Sequence, residues 1–202
     1  MKLGLFGGSF DPPHRGHIEP VREACRRLGL DRVLYLPTAQ PPHKRERRFA
    51  PAHARYAMVE LALLAEEGLY ASAHELTLSR PAYTADTLAH FAALDPQAEL
   101  HLLLGADSFT QLHAWRRWRQ IPRRARLVVL ARPGWEEERI RREAPGEVLE
   151  LLEAGRASLL PGPAIDLSST RLREILGRGE EPAAGALPPL VLDYVRKYAL
   201  YR

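Results

Sequence analysis

The sequence predicts an α/β fold: a mainly parallel sheet with helices on both faces, and a small helical C-terminal part over about residues 166–202. Three observations carry this. Short apolar runs recur along the chain, each the length of a strand buried on both faces. Segments with apolar residues at helical spacing lie between them. The opening strand–helix–strand has the length of a right-handed βαβ unit, so the sheet starts parallel.

Taken in order, Lys2 to Phe6 reads as the first strand, through Leu3, Leu5 and Phe6. Ile18, Val21, Cys25 and Leu28 then recur at helical spacing, and Gly29 is a C-cap signal. Arg32 to Leu36 is the second strand. Pro51 to Ala65 is a helix, and Leu69 to Leu78 contains a strand. Thr84 is placed as the N-cap of a helix running to Ala93. Glu99 to Leu104 is a central strand, and Arg126 to Ala131 another, stopped by Pro133-Gly134. Trp135 to Gly155 reads as helical with a break at Pro145-Gly146. Ala157 to Leu160 is a short last strand. Ser168 or Ser169 caps a helix carrying Leu172, Ile175 and Leu176, and a closing helix runs from about Leu190 to Leu200. No repeat or linker divides the chain, which reads as one unit over 1–202.

Composition narrows the function. The chain has 202 residues and a formal net charge of +4, from 29 basic and 25 acidic side chains. That small excess suits an anionic substrate, not a nucleic-acid partner. No stretch approaches the roughly 20 apolar residues of a membrane span. The start enters a strand at once, unlike a signal peptide. One cysteine, Cys25, allows no intrachain disulfide and fits a reducing cytoplasm. The absence of Asn, with only 2 Met and 17 Pro, suits a heat-adapted source or a GC-rich genome alike. Oligomeric state stays open, a homo-oligomer included.

The chemistry centres on Gly7-Gly8-Ser9-Phe10-Asp11-Pro12-Pro13-His14-Arg15-Gly16-His17. It joins the first strand to the first helix. Gly7 and Gly8 let the backbone turn tightly against a ligand. The helix start aims free N–H groups and a partial positive charge at the same space. His14 and His17, three apart, share one face of the first turn. The result is a polyphosphate site. No Gly-Lys-Ser/Thr follows, so it is not a P-loop, and the glycine spacing is not that of a dinucleotide fingerprint. A second cluster, Ser168-Ser169-Thr170 with the arginines Arg171 and Arg173 close behind, reads as a second polyphosphate cradle. Lys44, in a chain that otherwise writes Lys only at 2 and 197, follows Pro41-Pro42-His43 and suits a phosphate as a compact charge. Asp107 stands at a helix start after Gly105, where an ordinary cap and a binding role are equally supported. Trp115 or Trp118 can serve as a stacking plate.

GGSFDPPHRGH resembles the signature of the HxGH nucleotidyltransferases, which move a nucleotidyl group from a nucleoside triphosphate to a phosphorylated small molecule. The resemblance runs from Gly7 to Arg173. Within that superfamily, PPHK, PAYTADTL, GADS and DLSSTRLR are similar to the corresponding stretches of nicotinate-nucleotide adenylyltransferases. Ala82 and Leu167 depart mildly from the family pattern, which has Ser and Ile there. The resemblance implies a Rossmann-like sheet and transfer of the adenylyl group of ATP to nicotinate mononucleotide, a step toward NAD. It implies His14, His17 and Lys44 as the catalytic set. Gly7, Gly8, Ser9, Phe10, Gly105, Asp107, Ser168, Ser169, Thr170 and Arg173 would hold ATP. Tyr83, Thr84, Ala85, Trp115 and Arg116 would hold the pyridine nucleotide. Mg²⁺ would arrive with ATP, with no dedicated metal cage. Two rivals stand beside this: an enzyme with phosphopantetheine or another phosphorylated acceptor, and a non-catalytic nucleotide or RNA binder.

Overall fold

The structure is a computed structural model that describes residues 1–39, 49–163 and 165–202. Its centre is a six-stranded sheet, and every described strand pair in it is parallel. The strands are β1 (Lys2–Gly8), β2 (Arg32–Pro37), β3 (Leu69–Ala71), β4 (Glu99–Gly105), β5 (Arg126–Leu130) and β6 (Ala157–Leu160), in the order β3-β2-β1-β4-β5-β6. Leu5 lies between Leu34 of β2 and Leu102 of β4. The chain builds outward from β1 on one side, then returns to place β4 on its other side. That reversal of direction opens a crevice beyond the carboxyl ends of β1 and β4, where open α/β sheets bind ligands.

Alternation along the strands sends side chains to two cores. Leu103, Val128 and Leu130 join one core; Leu100, Leu102, Leu104, Leu127 and Val129 join the other. The first core is covered by α1 (Arg15–Leu28), α2 (Ala52–Leu63), α8 (Ser169–Gly177) and α9 (Pro189–Lys197), through Ile18, Val21, Met58, Leu172, Leu176, Val191 and Val195. The second is covered by α3 (Thr84–Leu94), α4 (Ala106–Thr110), α5 (Ile121–Arg124), α6 (Glu137–Glu143) and α7 (Gly146–Glu153), through Leu88, Phe91, Phe109, Ile121, Ile140 and Val148. Helices therefore cover both faces, as the apolar runs predict.

The strand expected within Leu69 to Leu78 is present as Leu69–Ala71, while the expected cap of α3 is corrected. Ser72 N–H makes one more bond, to Tyr35 O at 2.8 Å. Its own hydroxyl then takes the His74 N–H at 3.3 Å and turns the chain into a single 3₁₀ turn, His74–Leu76. Thr84 is the first helical residue of α3, and Tyr83 is the cap, without a side-chain bond.

Candidate active site

The motif loop leaves β1 at Gly8 and enters α1 at Arg15. His14 is the N-cap of α1. Its Nδ1 accepts the Gly16 N–H at 3.1 Å, while His17 Nδ1 accepts the His14 N–H at 3.3 Å. This is the reciprocal capping box, built from imidazoles. A neutral imidazole carries one proton, so each ring keeps that proton on Nε2, the only donor it can offer a ligand. Gly16 is required here: a Cβ on it would lie 2.9 Å from His14 Cε1. Gly8 is required by the same kind of close approach, to the Phe10 ring.

The two rings sit 3.8 Å apart, tilted by 36°. Burial, then the nearby Arg132, lowers the His14 pKa from 6.5 to about 4. Burial, then His14, then Arg132, holds His17 well below 6.5. Both rings are neutral at pH 7, so they act as Nε2–H donors and not as fixed charges.

Facing them is the start of α8. Ser168 is its cap and accepts the Arg171 N–H at 3.2 Å. Ser169 Oγ donates to Pro12 O at 3.0 Å, which ties α8 to the motif loop. Arg173 donates from Nη1 to Asp11 O at 2.6 Å and from Nη2 to Thr170 Oγ1 at 3.3 Å. His14, His17, Ser9, Asp107, Arg132, Ser168, Ser169, Thr170 and Arg173 enclose a cavity of about 350 Å³. Arg132 Nη2 lies 3.0 Å from Asp107 Oδ2 within it.

A second cavity, about 550 Å³, lies on the other side of Ser9, which lines both. Gly7, Gly8 and Gly105 line it, with Tyr83, Thr84, Trp115 and Arg116. The Arg116 guanidinium lies over the Tyr83 ring, 4.8 Å from its centroid. Trp115 is partly exposed to this space, while Trp118 is buried in the core. Thr84 and Ala85 N–H groups have no backbone acceptor among the described residues, whereas Asp86 and Thr87 N–H both bond Tyr83 O. The Asp86 carboxylate turns aside to Arg117 and Arg80.

Most expected residues thus gather around two joined cavities, with differences in detail. Gly7, Gly8 and Gly105, expected around ATP phosphates, line the cavity shared with Trp115. Phe10 and the Ala85 side chain line neither cavity. Phe10 is 1% exposed and packs on Phe6, Tyr35 and His17. Ala85 packs into the second core and can offer only its backbone. Lys44 lies outside the described residues.

Several lining residues carry no signal in the local motifs. Arg132 and Thr38 follow the carboxyl ends of β5 and β2, so the binding edge of the sheet is the clue that could have found them. Glu75 and Thr87 line the second cavity, with Thr87 Oγ1 donating to Glu75 Oε1 at 3.0 Å. Glu75 is buried, and burial raises its pKa from 4.5 to about 7.

The chain is similar to known proteins along its whole length. The cytidylyltransferase-like family model matches residues 5–175. A Thermus thermophilus protein named "Probable nicotinate-nucleotide adenylyltransferase" is 40% identical over 202 residues, covering 100% of both chains. A Chromobacterium violaceum protein of the same name is 39% identical, covering 100% of this chain and 99% of its own. Among solved structures, a Plasmodium falciparum nicotinic acid mononucleotide adenylyltransferase complexed with NaAD superposes with a TM-score of 0.77. The two are 18% identical, and the match covers 99% of this chain and 97% of that one, which makes the fold common to both. With identity near 40% from end to end and the paired histidines on the switch-point loop, the chain belongs to the nicotinate-nucleotide adenylyltransferase family of cytidylyltransferase-like proteins.

Proposed function

We infer that the chain transfers the adenylyl group of ATP to nicotinate mononucleotide, releasing pyrophosphate and forming the deamido dinucleotide on the way to NAD. One observation carries the assignment of the site. Two neutral imidazoles, each limited to an Nε2–H donor, line a polar cavity that adjoins an aromatic-lined one through Ser9.

The acceptor phosphate has a second pKa near ~6 and is largely ionised at neutral pH. It needs no general base. One of its oxygens bonds to the α-phosphorus of ATP as the bond to the bridging oxygen breaks, and pyrophosphate leaves with that electron pair. The protein's work is alignment and neutralisation of charge. His14 and His17 would donate to the α- and β-phosphates. Arg132, Arg173, Ser168, Ser169 and Thr170 would hold the departing phosphates, and Lys44 an incoming one. Phosphate bound on Arg132 would compete with Asp107 for that guanidinium. Trp115, Tyr83 and Arg116 would frame the pyridine, with the Thr84 and Ala85 N–H groups on its carboxylate.

Among the described residues, the lining of the phosphate cavity includes one carboxylate, Asp107, paired with Arg132. That donor set suits Mg²⁺ carried on the nucleotide, where it would neutralise triphosphate charge. Among the described residues no helix is long and apolar enough to cross a membrane. The single cysteine suits a cytoplasmic setting, and the unit spans 1–202. The test is incubation with ATP, Mg²⁺ and nicotinate mononucleotide, with pyrophosphate measured and the product identified by mass. Stoichiometric dinucleotide and pyrophosphate are expected. Product with phosphopantetheine and none with the pyridine nucleotide would overturn the acceptor. Nucleotide binding without pyrophosphate would overturn the enzyme.

A further inference from the structure

The two ends of the described chain meet beneath the phosphate cavity. Tyr201, beyond α9, donates its hydroxyl to Asp11 Oδ1 at 2.8 Å, across 190 positions of sequence. Asp11 is wholly buried in the motif loop, and the same oxygen accepts the Ala50 N–H at 3.1 Å. Its other oxygen, Oδ2, is buried without a hydrogen-bond partner among the described residues. Oδ2 lies 3.6 Å from Arg173 Nη1, within ion-pair distance but beyond a direct hydrogen bond. That nitrogen bonds the Asp11 backbone oxygen instead. Tyr201 itself sits at φ 74°, a left-handed backbone uncommon for a tyrosine, with its ring against the first core.

We propose that Tyr201 is a positioning residue for adenylyl transfer: its hydroxyl keeps the Asp11 carboxylate at ion-pair distance from Arg173 and out of a direct bond with it, so that the guanidinium stays available to the phosphates. The inference rests on the adenylyl-transfer reading. A buried carboxylate must be bonded, paired or protonated. Burial already pushes Asp11 up, and the Tyr201 hydroxyl is the strongest influence pulling it back. Without that hydroxyl, Asp11 either closes the short gap to Arg173 or takes up a proton. Closing the gap draws a phosphate ligand away from the cavity. Protonation removes negative charge beside Arg173 and frees the loop between Phe10 and His14 to shift. Each route disturbs groups that act on the leaving pyrophosphate, so turnover suffers more than substrate affinity.

Tyr201→Phe keeps the ring and removes one oxygen. The expected result is a kcat lowered about tenfold, with KM for ATP and nicotinate mononucleotide within about twofold of wild type. Tyr201→Leu also removes the ring. It is expected to unfold at a lower temperature than the Phe variant while losing the same factor in kcat. Tyr201→Phe combined with Asp11→Asn should cost no more than the larger single change, because both act through one unit. Wild-type kcat in Tyr201→Phe overturns the proposal. So does a kcat that tracks thermal midpoint across the Phe and Leu variants, or losses that multiply in the double variant. A wild-type chain that releases no pyrophosphate fails the reaction reading instead, and is distinguished by that control.

Discussion

His17 meets the phosphate cavity with a single hydrogen to give, because His14 N–H occupies its Nδ1. A donor fixed in this way is worth most where charge develops, as pyrophosphate leaves. His17→Ala should therefore lower kcat by about a hundred- to a thousand-fold with the fold intact. Steady-state kinetics beside a circular dichroism melt check this, and near-normal turnover in a folded variant refutes the role. Glu75 poses the opposite problem, an acid in a cavity meant for an anionic substrate. Burial raises it from 4.5 to about 7, so it is largely neutral below that pH. Its folded pKa lies above its unfolded one. The stability from holding that proton is complete below about pH 4.5 and is lost as pH rises through about 7, a swing of about 3 kcal/mol. His14 runs the other way: its folded pKa is depressed to about 4, so its contribution is present above 6.5 and lost as pH falls toward 4. Glu75→Gln isolates one trend from the other. Relative to wild type, the variant should gain about 2–3 kcal/mol in urea unfolding between pH 5 and pH 8. A gap that stays constant with pH would show that the carboxyl does not titrate in this window.

Under the proposed function, the start of α3 is where an element, more than any one side chain, would decide specificity. Its Thr84 and Ala85 N–H groups lack backbone acceptors among the described residues. Asp86, which could have filled that space with its own charge, is drawn off by Arg117 and Arg80. A nicotinate carboxylate gains from such a helix end by about 0.3–1 kcal/mol, and up to ~2 when partly buried. Charge-assisted bonds to the two amides can carry the preference over nicotinamide to about a hundred-fold. The ratio of kcat/KM for the two mononucleotides, at saturating ATP and Mg²⁺, measures it. A ratio near one removes α3 from the acid site. The sequence shows such elements well where the signal is local. Apolar runs mark β1, β2, β4 and β5, glycine punctuation marks the turns, and His14 with His17 marks the loop. It is silent where a residue acquires its role from a distant partner. Arg132 reads as a charge before Pro133-Gly134 until the sheet order brings it opposite Asp107. Asp11 stands in the motif without a role of its own until Tyr201 arrives from far along the chain. The strand within Leu69 to Leu78 is legible but its short span is not, because the Ser72 hydroxyl takes the His74 N–H and turns the chain after Ala71.

At the scale of the whole molecule, the binding edge of the sheet is held by one buried cation. Arg55, in α2, is 1% exposed and has no carboxylate within ion-pair distance among the described residues. Its guanidinium spends its donors on backbone carbonyls: Ala50 O at 3.1 Å, Ser9 O at 2.7 Å, Thr38 O at 2.6 Å and Ala39 O at 3.0 Å. Those oxygens belong to the segment leaving β1, the segment leaving β2 and the approach to α2, so a single side chain clamps three pieces of backbone around the crevice. Burial lowers its pKa, but it remains a cation, since only the charged fork supplies five donors in a plane. Arg55→Met fills much the same volume and leaves those carbonyls buried and unbonded. The expected cost is about 3–5 kcal/mol, which for a chain of this size lowers the thermal midpoint by about 10 °C. Arg55→Lys restores charge but offers three donors from one point, so it should recover only part of the loss. Because Ser9 lines both cavities, the weakening should also reach binding: KM for both substrates should rise in Arg55→Lys at temperatures well below its melt. Paired measurements of urea unfolding and KM on the two variants decide it. Wild-type stability in Arg55→Met would show that the carbonyls find other donors, and that the clamp is not what holds the crevice open.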